Sequence, residues 1–152
     1  MSSLDFQKLE SYVGASITGS EWVDVTQDMI DQFAKVTGDE QWIHVDVERA
    51  KRESPFGGPV AHGLLVLSLI PKLTTQDAPP WFEGSVGINY GADRVRYISP
   101  VPSGARVRAT QTLKSVEPFG RNGARLTSLV VVEVEGSDKP ACSAEMIGLI
   151  YP

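Results

Sequence analysis

The sequence predicts an α+β fold in which a long antiparallel sheet curls around one buried central helix. Three observations carry that expectation. Gly63-Leu64-Leu65-Val66-Leu67-Ser68-Leu69-Ile70-Pro71-Lys72-Leu73 is apolar on nearly every side, so a helix there must be surrounded by protein. Beyond Gly84 the chain is dominated by strand-like segments. Between them, Arg106, Arg108, Thr110, Thr112 and Lys114 alternate with Val107, Ala109, Gln111, Leu113 and Ser115, the period of a half-buried antiparallel strand.

In chain order, Ser20 to Val25 alternates and reads as a short strand. Thr26 suits an N-cap, because its hydroxyl can accept from first-turn amides. Ile30, Phe33, Ala34 and Thr37 follow at helical spacing, and Gly38 sits where helices end in a left-handed turn. Asp39 therefore falls just past a helix end. Asp46 can cap a further short helix through Arg52. Pro55, Gly57, Gly58 and Pro59 then interrupt regular structure. For Gly63–Leu73 a strand remains an alternative, but leucine outnumbers β-branched residues and favours helix. The expected strands are Gly84–Tyr90, Arg94–Ile98, Ala105–Val116, Arg125–Glu135 and Ala141–Tyr151. Turn-forming segments, Pro118 to Gly123 and Gly136 to Pro140, separate the last three.

The 152 residues suit one domain, 1–152, with one core, and no repeat or linker divides them. A net charge of -5 with scattered Lys and Arg argues against a nucleic-acid partner. Cys142 is the sole cysteine, so no internal disulfide supports the fold, and its place in an alternating strand suggests a small core residue. Neither a basic, apolar leader nor a stretch of roughly 20 apolar residues is present. The expectation is a cytoplasmic protein without a membrane partner.

Only two histidines occur, His44 and His62. Asp39 precedes His44 by five residues, and a carboxylate and an imidazole on one short loop can share proton transfers. Alone the spacing is a weak signal, since turn aspartates beside ordinary histidines are common. His62 reads foremost as a structural residue that bonds a loop carbonyl and positions Gly63. Two histidines and a distant cysteine show no metal-ligand spacing, and no glycine-rich phosphate cradle is present. Neither metal nor cofactor is expected.

Three blocks bring a family into view. Phe33-Ala34-Lys35-Val36-Thr37-Gly38-Asp39-Glu40-Gln41-Trp42-Ile43-His44-Val45-Asp46 resembles the hydratase motif of MaoC-like, R-specific enoyl-CoA hydratases, in the branch that includes nodulation protein N. Gly58-Pro59-Val60-Ala61-His62-Gly63-Leu64-Leu65 is similar to the segment opening that family's central helix. Asn89 to Val101 resembles the branch's strand pair. The resemblance implies a hot-dog fold, normally paired edge to edge as a homodimer, acting on an acyl-CoA thioester. It implies reversible syn hydration of a trans-2-enoyl-CoA to the R-3-hydroxyacyl-CoA. Carried onto this chain, Asp39 and His44 become the catalytic pair, and the backbone amide of Gly63 donates to the thioester oxygen. Gln41-Trp42 replaces the Asn-Pro of the commonest pattern, which leaves the acyl-chain preference open. Some relatives support the aspartate with a central-helix serine, for which Ser68 and Pro71 are both possible matches.

Further residues are weaker substrate-binding candidates. Trp42, with Phe56, Trp81 and Phe82, can line an acyl tunnel or simply anchor loops. Asn89 reads first as a turn residue, and Arg94 and Arg96 as solvated strand residues with CoA phosphates as the alternative. His62 stands near the oxyanion donor in sequence. A hot-dog thioesterase is the main rival, but Gly63–Leu73 lacks the central-helix carboxylate that many such enzymes carry. A non-catalytic acyl-CoA-binding subunit would have no need for both Asp39 and His44.

Overall fold

The computed structural model describes residues 4–152. Its strands form one antiparallel sheet in the order β1(Ser16–Thr18)–β4(Arg106–Phe119)–β5(Gly123–Val134)–β6(Pro140–Tyr151)–β3(Val86–Tyr97), with β2(Val23–Asp24) also paired to β4. The period-two pattern decides which side each strand buries: Val107, Ala109, Gln111 and Leu113 of β4 point inward, as do Leu126, Ser128, Val130 and Val132 of β5. A bulge between Leu113 and Ser115 ends the simple alternation. Against this face lie α5(Gly63–Ser68) and α6(Ile70–Thr75), whose Leu65, Val66, Leu69, Ile70 and Leu73 pack on Val107, Ala109, Val130, Val132 and Cys142. Cys142 is fully buried there, as its alternating strand suggested.

The expected central helix is present but differs in two respects. It is broken at Leu69, whose amide donates to the carbonyls of Leu65 and Val66; Pro71 has no amide to continue the ladder and its ring crowds the preceding turn. It is also not enclosed on all sides. Leu64 is 58% exposed and Ser68 is exposed, while the core-facing side is buried. Leu64 and Ser68 share one face four residues apart, so the apolar run conceals an outward stripe that composition alone does not show.

Other corrections concern the edges. Gly84–Tyr90 and Arg94–Ile98 are not separate strands: β3 runs unbroken along β6, and bulges between Asn89 and Gly91 and between Asp93 and Arg96 absorb the extra residues. Arg94 takes a φ of 51° in the second bulge, the left-handed region that L-residues seldom occupy. The strand expected over Ser20–Val25 contracts to β2. Two further elements carry no clear sequence signal: α1(Phe6–Ser11), capped by Asp5, and β1, which pairs with β4 through Ile17 and Gln111. Both are too short to build a clear period. Leu9 of α1, Trp81 and Ile150 form a second apolar cluster with Leu113, Ala124 and Leu126.

The helices that carry the site behave as their capping residues dictate. In α2(Gln27–Thr37), Thr26 accepts from the Met29 amide at 3.2 Å, and Gly38 closes the helix at φ 78°. The short α3(Trp42–Val45) leads into α4(Val47–Glu53), which Asp46 caps through the Arg49 amide.

Leu73 is a fully buried contact of the helix with the sheet, and Leu73→Ala should lower unfolding free energy by about 2–5 kcal/mol. Val36→Ala, on an exposed helix face, should stay within about 0.5 kcal/mol of the parent. Urea unfolding of both variants checks the pair.

Candidate active site

Asp39 owes its position to the left-handed Gly38 immediately before it. The chain turns sharply there and enters α3, where the His44 amide donates to the Gln41 carbonyl. Three contacts then hold His44. Its Nδ1 lies 2.6 Å from the Val60 carbonyl, its own carbonyl accepts from Gln27 Nε2 at 2.7 Å, and the Val60 amide donates to the neighbouring Ile43 carbonyl at 3.1 Å. A carbonyl can only accept, so Nδ1 carries the hydrogen. Nε2 is then the nitrogen left for chemistry.

His62 answers from the other side. Its Nε2 lies 2.9 Å from the Asp39 carbonyl, which again fixes the proton, and its ring stacks on His44 with centroids 3.8 Å apart. Phe33 covers its other flank at 4.9 Å. His62 Nδ1 is buried without a hydrogen-bond partner among the described residues. Both rings are buried and the Asp39 side chain is exposed, yet ligating-type atoms of Asp39, His44 and His62 all lie within 4.8 Å of one another. Spacing in the sequence offered no metal-binding pattern, so this three-residue group arises from the fold alone. Two of its four ring nitrogens are already committed to carbonyls.

Beside His44 opens a cavity of about 350 Å³ that includes Gly63, Val66, Phe56 and Tyr97 in its lining. Gly63 is the first residue of α5, where an amide has no intrahelical acceptor. Tyr97 is a site neighbour that no sequence pattern singled out. Its ring lies flat on Gly63: a β-carbon there would stand 2.7 Å from Tyr97 Cγ, so any larger residue must displace the ring. Burial raises the Tyr97 phenol above its ordinary pKa, with a further push from Cys142. Nothing in strand periodicity marks this contact, because it joins residues 34 positions apart.

The weaker candidates disperse. Trp42 is covered by the Arg49 guanidinium at 4.3 Å and lines neither large cavity. Arg96 is exposed, donates to the Val95 carbonyl and sits in the β3 bulge. Asn89 is a strand residue rather than a turn, because β6 pairs it with Gly148, and it lines a second cavity of about 370 Å³ beside α6. Pro71 and Phe82 line that cavity too, Phe56 lines the first, and Trp81 is core. Ser68 donates to the Leu64 carbonyl at 2.7 Å within its own helix.

A family model for the MaoC-like domain matches residues 8–135. The chain belongs to the MaoC-like dehydratase family. The chain is 47% identical over 140 residues to 3-hydroxyacyl-thioester dehydratase Z of Mycobacterium tuberculosis, covering 91% of each protein. It is 43% identical to nodulation protein N of Rhizobium leguminosarum bv. viciae over 150 residues, covering 99% of this chain and 93% of that one. The MaoC-like dehydratase from Rhodospirillum rubrum superposes with a TM-score of 0.73 at 21% identity, covering 91% of this chain and 92% of the other; at that distance the likeness speaks for the fold alone, which is the hot-dog arrangement of this family.

The Gly63–Tyr97 contact can be tested apart from any activity. Gly63→Ala should cost about 1–3 kcal/mol by overpacking, and adding Tyr97→Ala should recover most of that loss. A double-mutant cycle of denaturation free energies measures the coupling.

Proposed function

We propose that this MaoC-like chain is an R-specific enoyl-CoA hydratase that adds water reversibly and syn to a trans-2-enoyl-CoA, with Asp39 and His44 as the acid–base pair. One observation carries the reading: a carboxylate oxygen of Asp39 and a ring nitrogen of His44 lie within 4.8 Å of each other, while Gly63 shares a cavity with that imidazole. In the proposed reaction a water bound between Asp39 and His44 Nε2 attacks C3 of the substrate. Its proton passes to the pair, and negative charge moves to the thioester oxygen. There the Gly63 amide stabilises the enolate, a placement commonly worth about 2.7–4 kcal/mol. The pair then returns a proton to C2, which balances the addition. His62 acts through Asp39 and Gly63, whose positions it ties together, rather than on substrate.

The acyl chain has a natural course. Gly63, Val66, Ile70 and Thr74 follow one another at three- and four-residue steps along one face of the helix pair. The first two line the His44 cavity and the last two line the larger one. Over the eleven steps from Gly63 to Thr74 a continuous α-helix would rise roughly 16 Å.

Homodimerisation belongs to the same proposal. Among the described residues strand β3 pairs only with β6, which leaves its other edge open, and it carries the exposed Val86 (63%) and Tyr90 (56%). A long apolar edge of this kind invites a second strand, and a second copy would extend the sheet. No helix among the described residues is long and apolar enough to cross a membrane.

Purified protein should hydrate crotonyl-CoA, read as loss of the conjugated thioester absorbance. Asp39→Asn and His44→Asn should each slow it by at least about a hundredfold. Near-normal turnover in either variant removes the mechanism, and release of free CoA with the double bond intact favours a thioesterase. Mass photometry should find a dimer that Val86→Lys with Tyr90→Lys converts to monomer; a monomeric parent protein would sink the edge-to-edge assembly.

A further inference from the structure

Asp39 and His44 reach the site from different elements. Asp39 follows the Gly38 turn that closes α2, whereas His44 lies on α3, a helix of 4 residues. The pair keeps its geometry only if α3 is fixed against α2. Among the described residues a single side-chain hydrogen bond joins the two helices: Gln27 Nε2, in the first turn of α2, donates to the His44 carbonyl at 2.7 Å. That carbonyl is an orphan of the helix end. α3 stops at Val45, short of the amide four residues on that would otherwise serve it.

The donor is held in its turn. Gln27 Nε2 also donates to Asp31 Oδ1 at 2.9 Å, one turn along α2, so both amide hydrogens are given to oxygen. Turning the amide over would set Oε1 against a carbonyl and a carboxylate, neither of which can donate, so its neighbours settle its orientation. Oε1 is then buried without a partner among the described residues, and a buried acceptor left unpaired is destabilising. Leucine would fill the same place without that loss, and glutamate would suit the first turn of a helix better. What glutamine alone brings at that size and charge is a pair of hydrogens for two oxygens.

We propose that Gln27, oriented by Asp31, is a positioning residue that clamps α3 to α2 and so keeps the His44 Nδ1 hydrogen on the Val60 carbonyl, with Nε2 bare for the reacting water. Val60 grips α3 twice, through its amide on the Ile43 carbonyl and its carbonyl on His44 Nδ1 at 2.6 Å. Gln27 holds the next carbonyl along, from α2. Without that bond α3 can turn away from Val60, and the imidazole is free to take the other tautomer, whose hydrogen on Nε2 blocks the base. The inference rests on the hydratase reading above and adds a residue to it. Gln27 acts through His44, not on substrate.

Gln27→Glu keeps the size and suits the helix but replaces the donor by an acceptor, while Gln27→Lys again offers hydrogens to both oxygens. In crotonyl-CoA hydration the glutamate variant should lose at least about tenfold in kcat at nearly unchanged KM, because small misplacements of a reacting group slow chemistry steeply. The lysine variant should keep most of the rate. Gln27→Leu, which removes the donor without adding a charge, takes the place of the glutamate variant if that one does not fold. A second readout needs no activity. The chain has 2 histidines, so nitrogen–proton NMR correlation of the imidazoles in the free protein resolves both, and His44→Asn assigns them. The parent should show His44 with its hydrogen on Nδ1, and the glutamate variant should show a mixture in which the Nε2 form appears. Parent-like rate and tautomer in Gln27→Glu, or a loss of rate with the tautomer unchanged, overturns the proposal. If the tautomer responds but the parent protein does not hydrate crotonyl-CoA, the hydratase reading falls and the clamp stands.

Discussion

The site depends on a reciprocal exchange of hydrogen bonds between two loops. His44, from the short α3 that follows α2, reaches the Val60 carbonyl, and His62, from the segment before α5, reaches the Asp39 carbonyl. Each loop thus supplies an imidazole to the other's backbone. The rings stack where the two bonds cross. Because the acceptors are carbonyls, both tautomers are set by the backbone, and neither ring can turn without leaving a buried polar group unpaired. The exchange fixes the relative placement of Asp39, His44 and Gly63, which come from segments with little regular structure of their own.

The rest of the fold makes that exchange possible. The sheet provides a broad apolar face, and the broken central helix lies on it with Gly63 at its first turn. Val60 is itself tied to Pro102 by an isolated bridge, and the Ala61 amide donates to the Val101 carbonyl. The loop before the helix is therefore anchored to the sheet side just ahead of His62. Tyr97 closes the arrangement from β3 by lying on Gly63. Glycine at this position thus leaves room for an aromatic ring, which a side chain would displace.

Polar residues inside the core divide into two kinds. His44 and His62 each have one nitrogen satisfied by a carbonyl and belong to the loop exchange. Gln111 and Ser128 satisfy each other only in part and face a cavity. Gln111 was visible in the sequence as the polar member of an inward-facing set, Val107, Ala109, Gln111 and Leu113, but the alternation says only that it points inward. What it points at depends on α6 and β5, which lie far away along the chain.

Local chemistry was legible because local rules governed it. Thr26 and Asp46 cap helices through their own side chains, Gly38 takes the conformation that residues with a β-carbon avoid, and the alternation of β4 follows from the pleat. The motif from Phe33 to Asp46 and the His62-Gly63 pair pointed to a family and to three residues. Short elements such as α1 and β1 escaped, having too few residues to show a period, and β3 was divided in two because bulges interrupt its pattern. The sequence by itself determined the fold class and the caps and singled out Asp39 and His44, the two groups the proposed function needs, because periodicity, capping and short spacing are all local signals. Only the tertiary structure decided that His62 stacks on His44, that Tyr97 covers Gly63 and that Gln111 borders a cavity. Those contacts join segments whose separation is closed by packing of the helix on the sheet, and no spacing along the chain encodes them.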